Sequence, residues 1–98
     1  MAKFTIFYSP QFQKGRDLAI RRGLDVSKLD EAVAILASGE TPPRRLADHP
    51  LKGRWLGCRE CHIGGAKSDW VLIYQKFADK VLLYLVKTGY HRELGLGD

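Results

Sequence analysis

The sequence predicts an α+β fold in which two N-terminal helices pack on a curved antiparallel β-sheet, in the order β-α-α-β-β-β. Three observations carry this. Apolar residues recur with a helical period over 27–39, three strand-like runs crowd the second half, and a proline-rich break separates the two regions. Ninety-eight residues are enough for one modest core, so the chain is read as a single domain over 1–98.

Residues 3–8 (KFTIFY) are aromatic and β-branched and read as the first strand. Ser9 and Pro10 suit a helix start, because serine caps and proline is tolerated in the first turn. A helix over 11–22 buries Phe12, Leu18 and Ala19, and Gly23 ends it. In the next helix Ser27 is the expected N-cap, Leu29, Ala32, Val33 and Leu36 fall on one face, and Gly39 terminates. Pro42, Pro43 and Pro50 exclude a regular element over 39–53, leaving a loop with at most a helical turn near 45–47. Strands are expected over 54–63, 69–77 and 80–88, with a Gly-rich link at 64–68 and a tight turn at Ala78-Asp79. The tail over 90–98 has room for one helical turn.

The composition, 45% hydrophobic and 28% charged, is that of a folded protein, and the net charge of +5 favours a polyanionic partner such as nucleic acid. Most of that excess lies between Arg44 and Arg59, where Arg44, Arg45, Lys52, Arg54 and Arg59 face one anion, Asp48. No apolar run approaches the roughly 20 residues of a membrane span, and no signal-peptide core is seen, so a cytoplasmic protein is expected. Cys58 and Cys61 form a C-x-x-C with no second pair. Structural zinc needs four ligands, and in a strand this spacing sends the two thiols to opposite faces, so reduced, partly buried cysteines are expected.

The candidate chemistry lies in the histidines. His49 precedes the second expected strand, His62 ends it, and His91 follows the last, while Asp69 opens the third. An antiparallel meander can gather such ends in one cleft. Imidazoles suit RNA cleavage, in which a base takes the proton of a ribose 2′-OH, that oxygen attacks the adjacent phosphate, and an acid protonates the leaving 5′-oxygen. A neighbouring Lys or Arg offsets the charge on the phosphorane. The route requires neither metal nor cofactor, and none of the three His and Asp69 shares a short ligand spacing, which argues against a metal site.

The motifs Asp48-His-Pro-Leu-Lys-Gly53, Trp55-Leu-Gly57, Arg59-Glu-Cys-His62, Asp69-Trp-Val-Leu-Ile-Tyr74 and Lys87-Thr-Gly-Tyr-His91, with Tyr8-Ser9 before the first helix, resemble the YafQ branch of the RelE/ParE toxin superfamily. The likeness spans almost the whole chain. It implies a RelE-like fold and the toxin of a type II toxin–antitoxin pair that enters the ribosomal A site and cleaves mRNA. The implied partners are a cognate antitoxin in a hetero-oligomer, the ribosome and its message. It implies His91 as general acid, His49 or Asp69 as base, His62 as substrate positioner and Lys87 as transition-state cation. Arg44, Arg45, Lys52, Arg54 and Arg59 would meet RNA phosphates, and Trp70 would offer a stacking surface for a base. Two positions depart from the family: Lys87 stands where it carries Arg, and Leu94-Gly95-Leu96 where it carries a Phe. Lysine keeps the charge but loses the bidentate grip on phosphate. The alternative is a ParE-like toxin that inhibits DNA gyrase without catalysis, which needs no clustered His/Asp set.

Overall fold

The structure, a computed structural model, describes residues 3–94. Strand β1 (Thr5–Tyr8) leads into helices α1 (Pro10–Arg21) and α2 (Val26–Ser38). The chain then forms β2 (His49–Pro50), β3 (Arg59–His62), β4 (Trp70–Phe77) and β5 (Leu82–Tyr90). The five strands lie in the order β1-β5-β4-β3-β2. The pairs from β2 to β5 are antiparallel, whereas β1 runs parallel to β5 at the sheet edge. That pairing needs a long crossover, and the two helices provide it.

Both helices cover one face of the sheet. Phe12 and Ala19 of α1, and Leu29, Ala32, Val33 and Leu36 of α2, join Cys61, Leu72, Tyr74, Leu83 and Leu85 of the strands in the main core. Gly15 lies so close to β5 that a Cβ there would stand 2.2 Å from the Thr88 carbonyl oxygen, so α1 can seat only on glycine. A second apolar cluster of Cys58, Val71, Ile73 and Leu94, with Leu51, Trp55 and Val86 against it, occupies the outer face. Cys58 and Cys61 thus belong to opposite faces, and both are free thiols. Burial, joined by the charges of Asp48 and Glu60, pushes the Cys61 thiol up to about 12, so it stays protonated. No helix among the described residues is long and apolar enough to cross a membrane.

Several boundaries differ from expectation, each for a local reason. Helix α2 is capped by Asp25, whose carboxylate accepts the Ser27 N–H at 3.1 Å, so Ser27 lies inside the helix. The strand expected from 54 begins at Arg59, because Gly53 (φ +64°) and Gly57 (φ +94°) are left-handed and 53–55 forms a 3₁₀ turn. The last strand begins at Leu82 because Val81 has φ +51°. The proline-rich loop holds a 3₁₀ turn at Arg44–Leu46 and the two-residue β2. A further 3₁₀ turn, His91–Glu93, follows β5. Of the expected departure at 94–96, Leu94 packs into the outer cluster, and Gly95 and Leu96 lie outside the described residues.

Candidate active site

Register across the sheet builds the site. His49 pairs with Glu60, Glu60 with Ile73, and Ile73 with Lys87. The next row on that face runs from His62 to Val71 to Gly89. Because side chains alternate along a strand, Glu60 and His62 share the face of Val71 and Ile73, away from the helices. A β-bulge adds Lys87 to this face. Ile73 pairs with Lys87 while Tyr74 pairs with Leu85, so Val86 is the extra residue. Val86 packs into the outer cluster, and the Lys87 ammonium stands 6.0 Å from the centre of the Trp55 ring.

Glu60 is the centre of the arrangement and has no exposed surface. Its Oε1 lies 2.8 Å from His49 Nε2 and 3.2 Å from His62 Nε2, and its Oε2 lies 3.5 Å from His91 Nε2. The His62 and His91 rings are stacked at 6.3 Å, and the His49 and His62 rings lie 5.8 Å apart. The three imidazoles are graded in access, with His49 and His91 partly open to solvent and His62 more covered.

Hydrogen-bond logic places protons in this cluster. His49 Nδ1 faces the Pro50 carbonyl at 3.1 Å, and His62 Nδ1 faces the Ser68 carbonyl at 3.0 Å. A carbonyl only accepts, so each Nδ1 donates. His49 Nε2 then faces a carboxylate oxygen at 2.8 Å, and a proton is needed on that line too, whether held by the ring or by Glu60; His62 Nε2 stands 3.2 Å from the same oxygen without a hydrogen bond. Glu60 Oε2 makes no hydrogen bond, since His91 stands beyond hydrogen-bond distance. Sequence reasoning passed over Glu60. The signal was its place two residues before His62, on the same face of the strand.

The other sequence-derived candidates fall out unevenly. Asp69 does not join the imidazole cluster through its side chain: its carboxylate takes Arg92 Nη1 at 2.7 Å, while its carbonyl accepts the His91 N–H at 2.6 Å. Trp70 is only 6% exposed and sits in the helix-side core, its indole N–H donating to Thr88 Oγ1, so it offers no stacking surface. Among the basic residues, Arg44, Lys52 and Arg54 are exposed and have no carboxylate partner among the described residues. Arg45 is paired with Glu31 at 2.9 Å. Arg59 binds Asp48 at 2.6 Å, and Asp48 also accepts the Tyr74 hydroxyl, so Arg59 serves the fold.

Donor atoms of His49, Glu60 and His62 all lie within 4.8 Å of one another, a spacing that could hold a metal ion. Strand pairing creates this proximity, which linear ligand spacing had argued against.

The geometry can be set beside known proteins. The chain is 39% identical to the mRNA interferase toxin YafQ of Escherichia coli K12 over 95 residues, covering 96% of this chain and 98% of that protein. The fold matches the E. coli DinJ–YafQ toxin–antitoxin complex with a TM-score of 0.82 at 38% identity, covering 95% of this chain and 98% of that one. It also matches a metal-bound toxin from Helicobacter pylori with a TM-score of 0.82 at 36% identity, covering 93% and 98%. The sequence model of the family described as bacterial toxin of type II toxin–antitoxin system, YafQ, matches residues 4–95. The chain therefore belongs to the YafQ family of type II toxin–antitoxin toxins.

Proposed function

We propose that this toxin is a cytoplasmic endoribonuclease that cleaves mRNA on the ribosome by metal-independent acid–base chemistry. The observation that carries the reading is the convergence of three imidazole nitrogens on the buried Glu60. His91, partly exposed and loosely held by Glu60, protonates the leaving 5′-oxygen. His49 or Asp69 takes the 2′-OH proton; His49 does so by releasing Glu60 from its Nε2, Asp69 by releasing Arg92. His62 orients the phosphate, and Lys87 offsets charge on the phosphorane. Glu60 orients the His49 ring by a hydrogen bond and lies beside the His62 and His91 rings. A cognate antitoxin binds the toxin in a hetero-oligomer, a reading supported by the E. coli toxin–antitoxin complex.

The His49, Glu60 and His62 donors also fit a transition-metal ion, and the metal-bound relative supports that second reading. An ion there would withdraw the imidazole nitrogens from acid–base work, so added zinc or nickel is expected to inhibit.

The test is cleavage of a ribosome-bound message by purified toxin. Expected are cuts within codons, full activity with a chelator present, and a loss of roughly 10²–10⁴-fold in His91→Gln. Parent-like cleavage by both His49→Gln and His91→Gln would overturn the acid–base reading. Loss of activity on chelation would overturn its metal independence.

A further inference from the structure

The general acid sits on a short turn at the end of the last strand, a place where backbone freedom is greatest. Here that turn is tied to α1. Arg22, the residue capping the C-terminus of α1, forms a bidentate pair with Glu93 at 3.1 and 2.8 Å. Its guanidinium also lies 4.5 Å from the centre of the Tyr90 ring. Glu93 reaches back to the Tyr90 N–H at 3.4 Å, so one carboxylate joins both flanks of His91 to the helix. Arg92 covers the same ring at 5.2 Å and binds Asp69, whose carbonyl holds the His91 N–H. The hydrogen bond from Arg22 holds the Glu93 carboxyl below the usual carboxylate range.

We propose that Arg22 is a positioning residue for the cleavage step: through Glu93 and the Tyr90 ring it locks the turn that carries His91. The inference rests on the reading of His91 as general acid. An exposed ion pair in isolation contributes little to stability. The effect here is geometric. His91 Nε2 stands 3.5 Å from Glu60 with no hydrogen bond to fix it there, and a turn that wandered by an ångström would carry the ring off the leaving oxygen. Arg16 makes an equally bidentate pair with Asp30 from the same helix, but touches none of the residues around His91. It is the natural control.

Single-turnover cleavage of a ribosome-bound message separates rate from binding. Arg22→Ala and Glu93→Ala are each expected to lower the rate at saturating toxin by roughly 10- to 100-fold, with the half-saturating concentration unchanged. The double variant should lose no more than either alone, Arg22→Lys should fall between, and Arg16→Ala should match the parent. In a His91→Gln background, Arg22→Ala should cost nothing further, because it acts through that ring. A parent-like rate in Arg22→Ala overturns the proposal. So does a raised half-saturating concentration at unchanged rate, which would make Arg22 a phosphate contact, or an additive loss on top of His91→Gln. If His91→Gln itself cleaves like the parent, the assignment of the acid fails instead.

Discussion

His49 Nε2 lies 2.8 Å from Oε1 of Glu60, a carboxylate with no solvent-exposed surface. A buried carboxylate is costly unless it is paired, and among the described residues the ionisable groups within 4 Å of Glu60 are the imidazoles of His49, His62 and His91. Glu60→Gln keeps the shape and removes the charge. Cleavage by this variant is expected to fall by at least about 10²-fold, since the rings lose the carboxylate that orients them. Far-ultraviolet circular dichroism should be unchanged. A variant that folds and cleaves like the parent would reduce Glu60 to packing.

Sequence made the helices and the late strands legible because each has a local cause. Apolar period gives α2, proline at the first turn gives α1, and β-branched runs give β4 and β5. It also named the three histidines. What it could not supply was pairing. Glu60 becomes central only when β2 sets His49 opposite it, and a two-residue strand in a proline-rich loop has no periodicity to read. Lys87 joins the site through an extra residue at Val86, and bulges leave no signature in composition. Trp70 and Asp69 stood beside the right neighbours in sequence, yet alternation sent the indole to the helix side and Arg92 captured the carboxylate.

The core should make the fold sensitive to alkali. Burial raises the Cys61 thiol to about 12, and burial with the adjacent Asp48 raises the Tyr74 hydroxyl above the usual tyrosine range. In the unfolded chain these groups ionise near their ordinary values of about 8.5 and 10. Between those values and the folded ones the unfolded state binds fewer protons, so stability falls as pH rises. The contribution is complete below about pH 8 and drains away above it. Urea midpoints from pH 8 to 11 should decline, and Cys61→Ala should show a shallower decline from a lower start. Equal slopes in the two proteins would remove Cys61 as a cause.

The free basic residues are expected to set ribosome affinity. Replacing Arg44, Lys52 and Arg54 with Glu should weaken binding and flatten its salt dependence, because fewer counterions are released, while the saturating cleavage rate holds. Arg59→Glu should behave differently. It strips Asp48 of its partner beside the buried Tyr74 hydroxyl and should lower stability by about 3–5 kcal/mol if the pair behaves as buried, and less to the extent that the 44% exposed arginine is screened. Salt titration of ribosome binding, run beside urea melts, separates the two classes. A triple variant with the parent's salt slope would assign this surface to a bystander role.

Lys87 offers the sharpest comparison between chemistry and geometry. It holds its charge above Trp55, in the same cross-strand row as Glu60, and no carboxylate among the described residues neutralises it. Such a cation is free to meet a phosphate. Lys87→Ala should lower the saturating rate by roughly 10²-fold, the scale seen when one preorganised charge partner of a transition state is removed. Lys87→Arg keeps the charge and adds a planar fork that matches two phosphate oxygens, so its rate should equal or exceed the parent's. The indole below accepts a guanidinium face as readily as an ammonium. If Lys87→Ala cleaves normally, the bulge at Val86 serves packing alone. If Lys87→Arg is as slow as alanine, the ammonium fills a space too narrow for the fork, and Lys87 acts as a point charge rather than a bidentate clamp.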